Sequence, residues 1–147
     1  MTRLAPARVT PVRIQLSRKR GFNLQEVSRA LNGLPAVMVA RPSIWGNPFV
    51  IGRPSGYLFQ DGGDPTPLIA ALSREQAVSF YDDLLNGFVG PEMHPWGHEW
   101  REAVRKHFYG MSPGEAASCY LRNRNLACWC SLDRACHVDP LLRTANR

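Results

Sequence analysis

The sequence predicts a small α/β protein: a single-domain, Rossmann-like layer fold with a short, mostly parallel sheet flanked by helices. Three observations carry that prediction. The chain has 147 residues, the length of one ordinary domain, and 44% of them are hydrophobic, enough for a real core. Short strand-type runs alternate with amphipathic stretches in the order strand, helix, strand, loop, helices, strand, helix. Glycine and proline number 12 each, so many loops surround that core. The domain is read as residues 1–147, with 1–11 as a flexible N-terminal tail.

Each element has its own signal. Val12 to Leu16 alternate apolar and polar side chains and suit a short strand, followed by a basic loop. Asn23 then caps a helix, with Glu26 three residues on, and Leu24, Val27 and Leu31 are expected to face inward before Gly33 ends it. Ala36–Ala40 is apolar and reads as a buried strand. Arg41–Phe59 is a structured loop with a hairpin ending in Tyr57–Phe59, and 60–67 is turn chemistry, the expected mobile tip.

Ser73 and Gln76 form a second capping box. Behind it Ala77, Phe80, Tyr81, Leu84, Leu85 and Phe88 keep helical spacing, so the stretch 73–88 should pack on the sheet. Further helices are expected at about Glu99–Tyr109 and from Ser112-Pro113, the latter with Pro in the tolerated first turn. Ala116, Ala117, Tyr120 and Leu121 should face inward there, with Cys119 in the core. Leu126–Cys130 is a buried strand in the same sheet as Ala36–Ala40, and "HVDPLLRTA" is the last helix.

Bulk properties narrow the function classes. No apolar run is long enough to span a membrane, and the basic N-terminus lacks the apolar core of a secretory signal. The expected location is therefore cytoplasmic, where clustered cysteines act as metal ligands or reactive groups before they act as disulfides. The net charge of +6 and a pI near 9.6 favour anionic partners, meaning nucleotides, nucleic acid or an acidic protein.

The densest chemistry is "CWCSLDRACHVD". Cys128, Cys130, Cys136 and His137 fall within ten residues. In a strand, Cys128 and Cys130 point one way and Trp129 the other. The turn after them returns Cys136 and His137 to the start of the last helix. One reading is a zinc site of Cys128, Cys130, Cys136 and His137, although C-x-C-x5-C-H is not the C-x2-C pair of a standard ribbon. Another is catalytic: Cys136, beside His137 and Asp139 at a helix N-terminus, has the parts of an activated nucleophile. The plain alternative is core thiols, with Cys128 the most expendable.

The second constellation is "RPSIWGNPF". Arg41, Ser43, Trp45, Gly46 and Asn47, with Cys130 from the other motif, are the candidate ligand-binding residues. A base and a phosphate need aromatic rings and arginine, and Gly46 permits backbone geometry closed to other residues. Against this, Trp45 could simply anchor the loop to the core. If the two buried strands are parallel neighbours, this loop and the cysteine corner flank one crevice.

These two motifs resemble a family of bacteria and their phages catalogued as domain of unknown function 4326. Its members share the Trp-Gly-Asn-Pro-Phe loop after an Arg-containing strand end, here Arg41, Ser43 and Trp45 to Phe49. They also share the C-terminal Cys-Trp-Cys, Cys-His and Asp, here Cys128, Trp129, Cys130, Cys136, His137 and Asp139. The resemblance covers nearly the whole chain; Val138 departs from it, where many members have a small residue. A weaker similarity to domain of unknown function 488, at Cys128, Cys130, Cys136 and His137, implies an α/β fold and a functional C-terminal corner. Neither family carries an activity.

The leading expectation is a cytoplasmic protein that binds, and as an enzyme processes, a nucleotide, nucleoside or nucleic-acid end in that crevice. The alternative is a non-enzymatic nucleic-acid-binding module with structural zinc. A third is a phage accessory protein that binds a host protein.

Overall fold

A computed structural model describes residues 9–58 and 63–147. The expected N-terminal tail lies mostly outside the described residues, as does the beginning of the expected tip at 60–67. The chain forms β1 (Arg13–Gln15), α1 (Leu24–Asn32), β2 (Ala36–Met38), β3 (Ser55–Leu58), β4 (Thr66–Ile69), α2 (Arg74–Leu85), α3 (Trp96–His107), α4 (Pro113–Tyr120), β5 (Asn125–Cys128) and α5 (Val138–Ala145). The result is a mixed α/β domain with a parallel three-stranded sheet and a separate antiparallel pair.

The main sheet has the order β1-β5-β2. Arg13 pairs with Leu126 on one side of β5, and Val37 with Leu126 on the other. A central strand has neighbours on both edges and layers on both faces, so all four residues of β5 are buried. The pairing continues past the strand ends. Leu16 N–H donates to Cys128 O and Val39 N–H to Ala127 O, both at 2.9 Å. These bonds hold the carboxyl ends of β5 and β2 side by side, so Cys128 comes next to Val39–Arg41.

The start of β5 is fixed by Asn125, which is fully buried and bonded at every polar position. Its Oδ1 accepts from Val12 N and Asn32 Nδ2 at 2.9 Å, and its Nδ2 donates to Ser28 Oγ and Asn32 Oδ1 at 2.8 Å. A buried amide without these partners would destabilise the fold. The network also determines how α1 sits. Its fully buried residue is Ser28, whereas Leu31 is 58% exposed, so the apolar face expected to point inward is only half used. The caps agree with expectation: Asn23 accepts from Glu26 N, and Gly33 ends the helix at φ 80°.

α2 has both halves of the Ser73–Gln76 capping box. Ala77, Tyr81, Leu84 and Leu85 are buried along it. Its main packing partner is α5, which in turn lies on β1 and β5. The helix ends at Leu85, and Phe88, beyond it, is 68% exposed rather than inward. α4 buries Ala116 and Ala117 as expected, but Tyr120 and Cys119 are exposed; Cys119 is not a core residue. The hairpin spans β3 and β4, with Tyr57 opposite Pro67, so it extends past the Tyr57–Phe59 end expected of it.

Candidate functional site

The "RPSIWGNPF" loop leaves β2 and is tied to the helices at several points. Tyr81 Oη–H donates to Trp45 O at 2.7 Å, Trp100 Nε1–H to Ile44 O at 2.8 Å, and Asn47 Nδ2 to Ala77 O at 3.1 Å. Asn47 Oδ1 accepts from Phe49 N at 2.9 Å and sets the turn. Gly46 is required by close approach: a Cβ there would lie 2.7 Å from Arg41 Cγ and 2.9 Å from Arg41 Cα. Arg41 itself is exposed and donates to Asn47 O at 3.1 Å. Trp45 is 5% exposed, stacked on Phe108 at 5.1 Å between centroids. It anchors the loop in the core, so the ligand contact expected of its ring is not available. Ser43 serves the loop too, accepting from Trp45 N at 3.2 Å.

The cysteine corner is built differently from the alternating strand expected. β5 stops at Cys128, and the chain bends there. Cys128 and Cys130 Sγ atoms still meet, at 3.9 Å, and Cys136 completes a set whose three Sγ atoms all lie within 4.8 Å of one another. These three residues lie close enough to hold a metal ion. His137 is not part of that set. Its Nε2–H donates to Val39 O at 2.9 Å, which leaves the Nδ1 lone pair 3.6 Å from Cys136 Sγ. Burial lowers the His137 pKa, so the ring is neutral.

The thiols are not equivalent. Hydrogen bonding from Cys136 pulls Cys128 down to about 5, helped by the Cys130 backbone and thiol and by His137. Cys136 moves the opposite way, held protonated by its bond to Cys128 and by burial. The acidic thiol expected at Cys136 is therefore Cys128, the residue expected to be most expendable. Cys136 is 1% exposed and precedes α5 by two residues; the Val138 N–H at the helix start lowers its pKa, but the bond to Cys128 and burial outweigh that.

Asp139 also has a different task. Its Oδ2 accepts from Arg13 NH1 at 3.2 Å and from Cys136 N at 3.4 Å. Arg13 further donates to the carbonyls of Ser131, Leu132 and Arg134. Arg13 and Asp139 thus clamp the turn that carries Cys130 to Cys136. In the sequence Arg13 is one polar position of the Val12–Leu16 alternation, with nothing to mark this role.

The loop and the corner face each other across a crevice of about 230 Å³. Ala40, Arg41, Asn47, Phe49 and Ile51 line one side, and Cys128, Trp129, Cys130, Ala135, Cys136 and His137 the other. Arg74, Ala77 and Val78 of α2 close it. Arg74 was not singled out from the sequence; its NH1 lies 3.8 Å from Cys130 Sγ and donates to Ala135 O at 3.3 Å. A signal existed, because a cation in the first turn of a helix opposes the helix dipole and calls for a reason. The crevice lies outside the carboxyl ends of β2 and β5, the usual place for ligands in open parallel sheets. Among the described residues no helix is long and apolar enough to cross a membrane.

No curated protein and no solved structure matches the chain. The family model for domain of unknown function 4326 matches residues 15–147, which include both walls of the crevice. The chain therefore belongs to the domain of unknown function 4326 family.

Proposed function

We propose that Cys128, Cys130 and Cys136 hold a zinc ion whose fourth position faces the crevice, and that the crevice binds an anionic substrate for chemistry at that ion. The observation that carries this reading is the mutual approach of the three thiols. Zinc–sulfur bonds of about 2.3 Å imply a tetrahedral sulfur–sulfur edge of about 3.8 Å, and the Cys128–Cys130 separation is 3.9 Å. Soft thiolates in a set of three select zinc or a similar thiophilic metal over magnesium or calcium. Bound there, zinc supplies a Lewis acid and an acidified water. Arg41 and Arg74 supply positive charge for the anion, and the buried wall of Phe49 and Ala77 excludes solvent.

A second reading has its own observation. His137 Nδ1 lies 3.6 Å from Cys136 Sγ with its lone pair on that side, so a small side-chain shift would close the site as a structural centre. A closed site would support a non-enzymatic binding module.

Elemental analysis of protein purified without chelator tests both, with about one zinc per chain expected of either site. His137→Ala separates them: an open three-thiol site keeps its metal, a closed one loses it. Metal-free protein from a zinc-supplied culture would end the zinc reading altogether.

A further inference from the structure

We infer that the ligand of the crevice is a phosphorylated nucleoside unit, with its base stacked on Trp129 and its phosphate held by Arg41 and Arg74. This rests on the crevice being an anion site, as proposed above, and not on the zinc. Three observations carry it. First, Trp129 lines the crevice and is 45% exposed, while Phe49, also in the lining, and Trp45 of the neighbouring loop are buried at 1% and 5%. An exposed indole at a crevice lip costs hydration without adding to the core, and base stacking is a use for it.

Second, the ring already has a planar cationic partner, with the Arg18 guanidinium carbon 5.0 Å from its centroid. Arg18, Lys19 and Arg20 are all exposed on the loop after β1, so the ring stands beside concentrated positive charge, with Arg18 covering one of its faces. Third, about 230 Å³ falls below the roughly 300–1,000 Å³ of pockets that enclose a whole drug-sized ligand. A ligand of nucleotide size would therefore place one part inside and the remainder on the rim. Arg74 is half-buried and bonded to Ala135 O, whereas Arg41 and the indole are exposed, which assigns the phosphate to the Arg74 side with Arg41 beside it and the base to the exposed rim.

The unit is either a free nucleotide or the phosphorylated end of a strand, since both present the same base and phosphate. Calorimetric titration of the full chain with adenosine monophosphate, ribose 5-phosphate and a 5′-phosphorylated dinucleotide tests this. Adenosine monophosphate should bind about tenfold or more tighter than ribose 5-phosphate, the difference being the stacked base. Trp129→Ala should reduce it to the level of ribose 5-phosphate and leave ribose 5-phosphate unchanged, with the circular dichroism spectrum intact. Trp129→Phe should keep most of the preference. A dinucleotide that binds tighter still identifies a strand end as the source, and equal binding a free nucleotide.

Equal affinity for adenosine monophosphate and ribose 5-phosphate, or a preference that survives Trp129→Ala, would overturn the stacking and leave the anion site standing. Failure of all three ligands would overturn both, while zinc content scores the metal separately.

Discussion

Arg13 and Asp139, 126 positions apart in the chain, meet at 3.2 Å across the turn that joins Cys130 to Cys136. The two ends of this contact differ in weight. The Arg13 side chain is 9% exposed and also bonds three turn carbonyls, whereas Asp139 is 48% exposed. Arg13→Ala should therefore destabilise by about 2–4 kcal/mol, because it leaves several carbonyls unpaired. Asp139→Asn should cost under about 1 kcal/mol, as expected of a half-exposed ion pair. Urea denaturation of the two variants checks the order, and a larger loss in Asp139→Asn would show that the clamp is misassigned.

The three thiols should act as one unit. Cys128→Ser, Cys130→Ser and Cys136→Ser are each expected to cut bound zinc from about one per chain to near none, and to lower the melting temperature. Cys119→Ser, at an exposed position, should change neither. Retention of full metal by Cys128→Ser would restore that residue to the core.

In metal-free protein the thiols should titrate far apart. Cys128 is drawn down to about 5 by the Cys136 hydrogen bond, and Cys136 is pushed up by the same bond and by burial. Since the folded state lowers the Cys128 pKa, its thiolate should appear as pH rises through about 5 and be lost below it. Ultraviolet thiolate absorbance should show one equivalent ionised before neutrality. Cys136→Ala should shift that step upward, toward the ordinary thiol value of about 8.5. A cluster that ionises only near the ordinary value would contradict the shared proton.

Trp45 is expected to matter for stability. Trp45→Ala should destabilise by about 3–5 kcal/mol, the cost of emptying a large core position, with the melting temperature lower by about 10 °C. Tyr81→Phe removes only the 2.7 Å bond to Trp45 O and should cost about 1–2 kcal/mol. Thermal melts of both variants decide it.

The legible parts of the fold were local. Asn23 with Glu26 and Ser73 with Gln76 write helix starts into four residues each, and Ile14 and Leu16 show the strand alternation directly. Leu31 was misplaced because the contact beneath α1 is polar: Ser28 and Asn32 serve Asn125, and apolar periodicity does not register buried amides. Pro67 concealed β4, since proline and glycine around a strand read as turn, yet it pairs with Tyr57 where no further strand needs its missing N–H. The grouping of Cys128, Cys130 and Cys136 was legible from spacing. Their unequal acidity was not, because it depends on which thiol shares its proton. Arg13 joins the site through tertiary contacts that no spacing along the chain reports, and Trp129, expected to point away from Cys128 and Cys130, lines the crevice with them because the strand ends at Cys128.

The strand order β1-β5-β2 has a kinetic consequence. Both early strands pair with β5 and neither pairs with the other, so Arg13 and Val37 wait for the same partner, Leu126. No stretch of the main sheet can close until the chain has bridged the long span from β1 or β2 to β5, a high contact order for a domain of this size. Before that, the exposed edges of β1 and β2 depend on their shortness, three residues each, to resist pairing with other chains. Assembly of the sheet and delivery of Cys128 to its neighbours are then a single late event, and refolding should be slow and depend on residues 125–128 being intact.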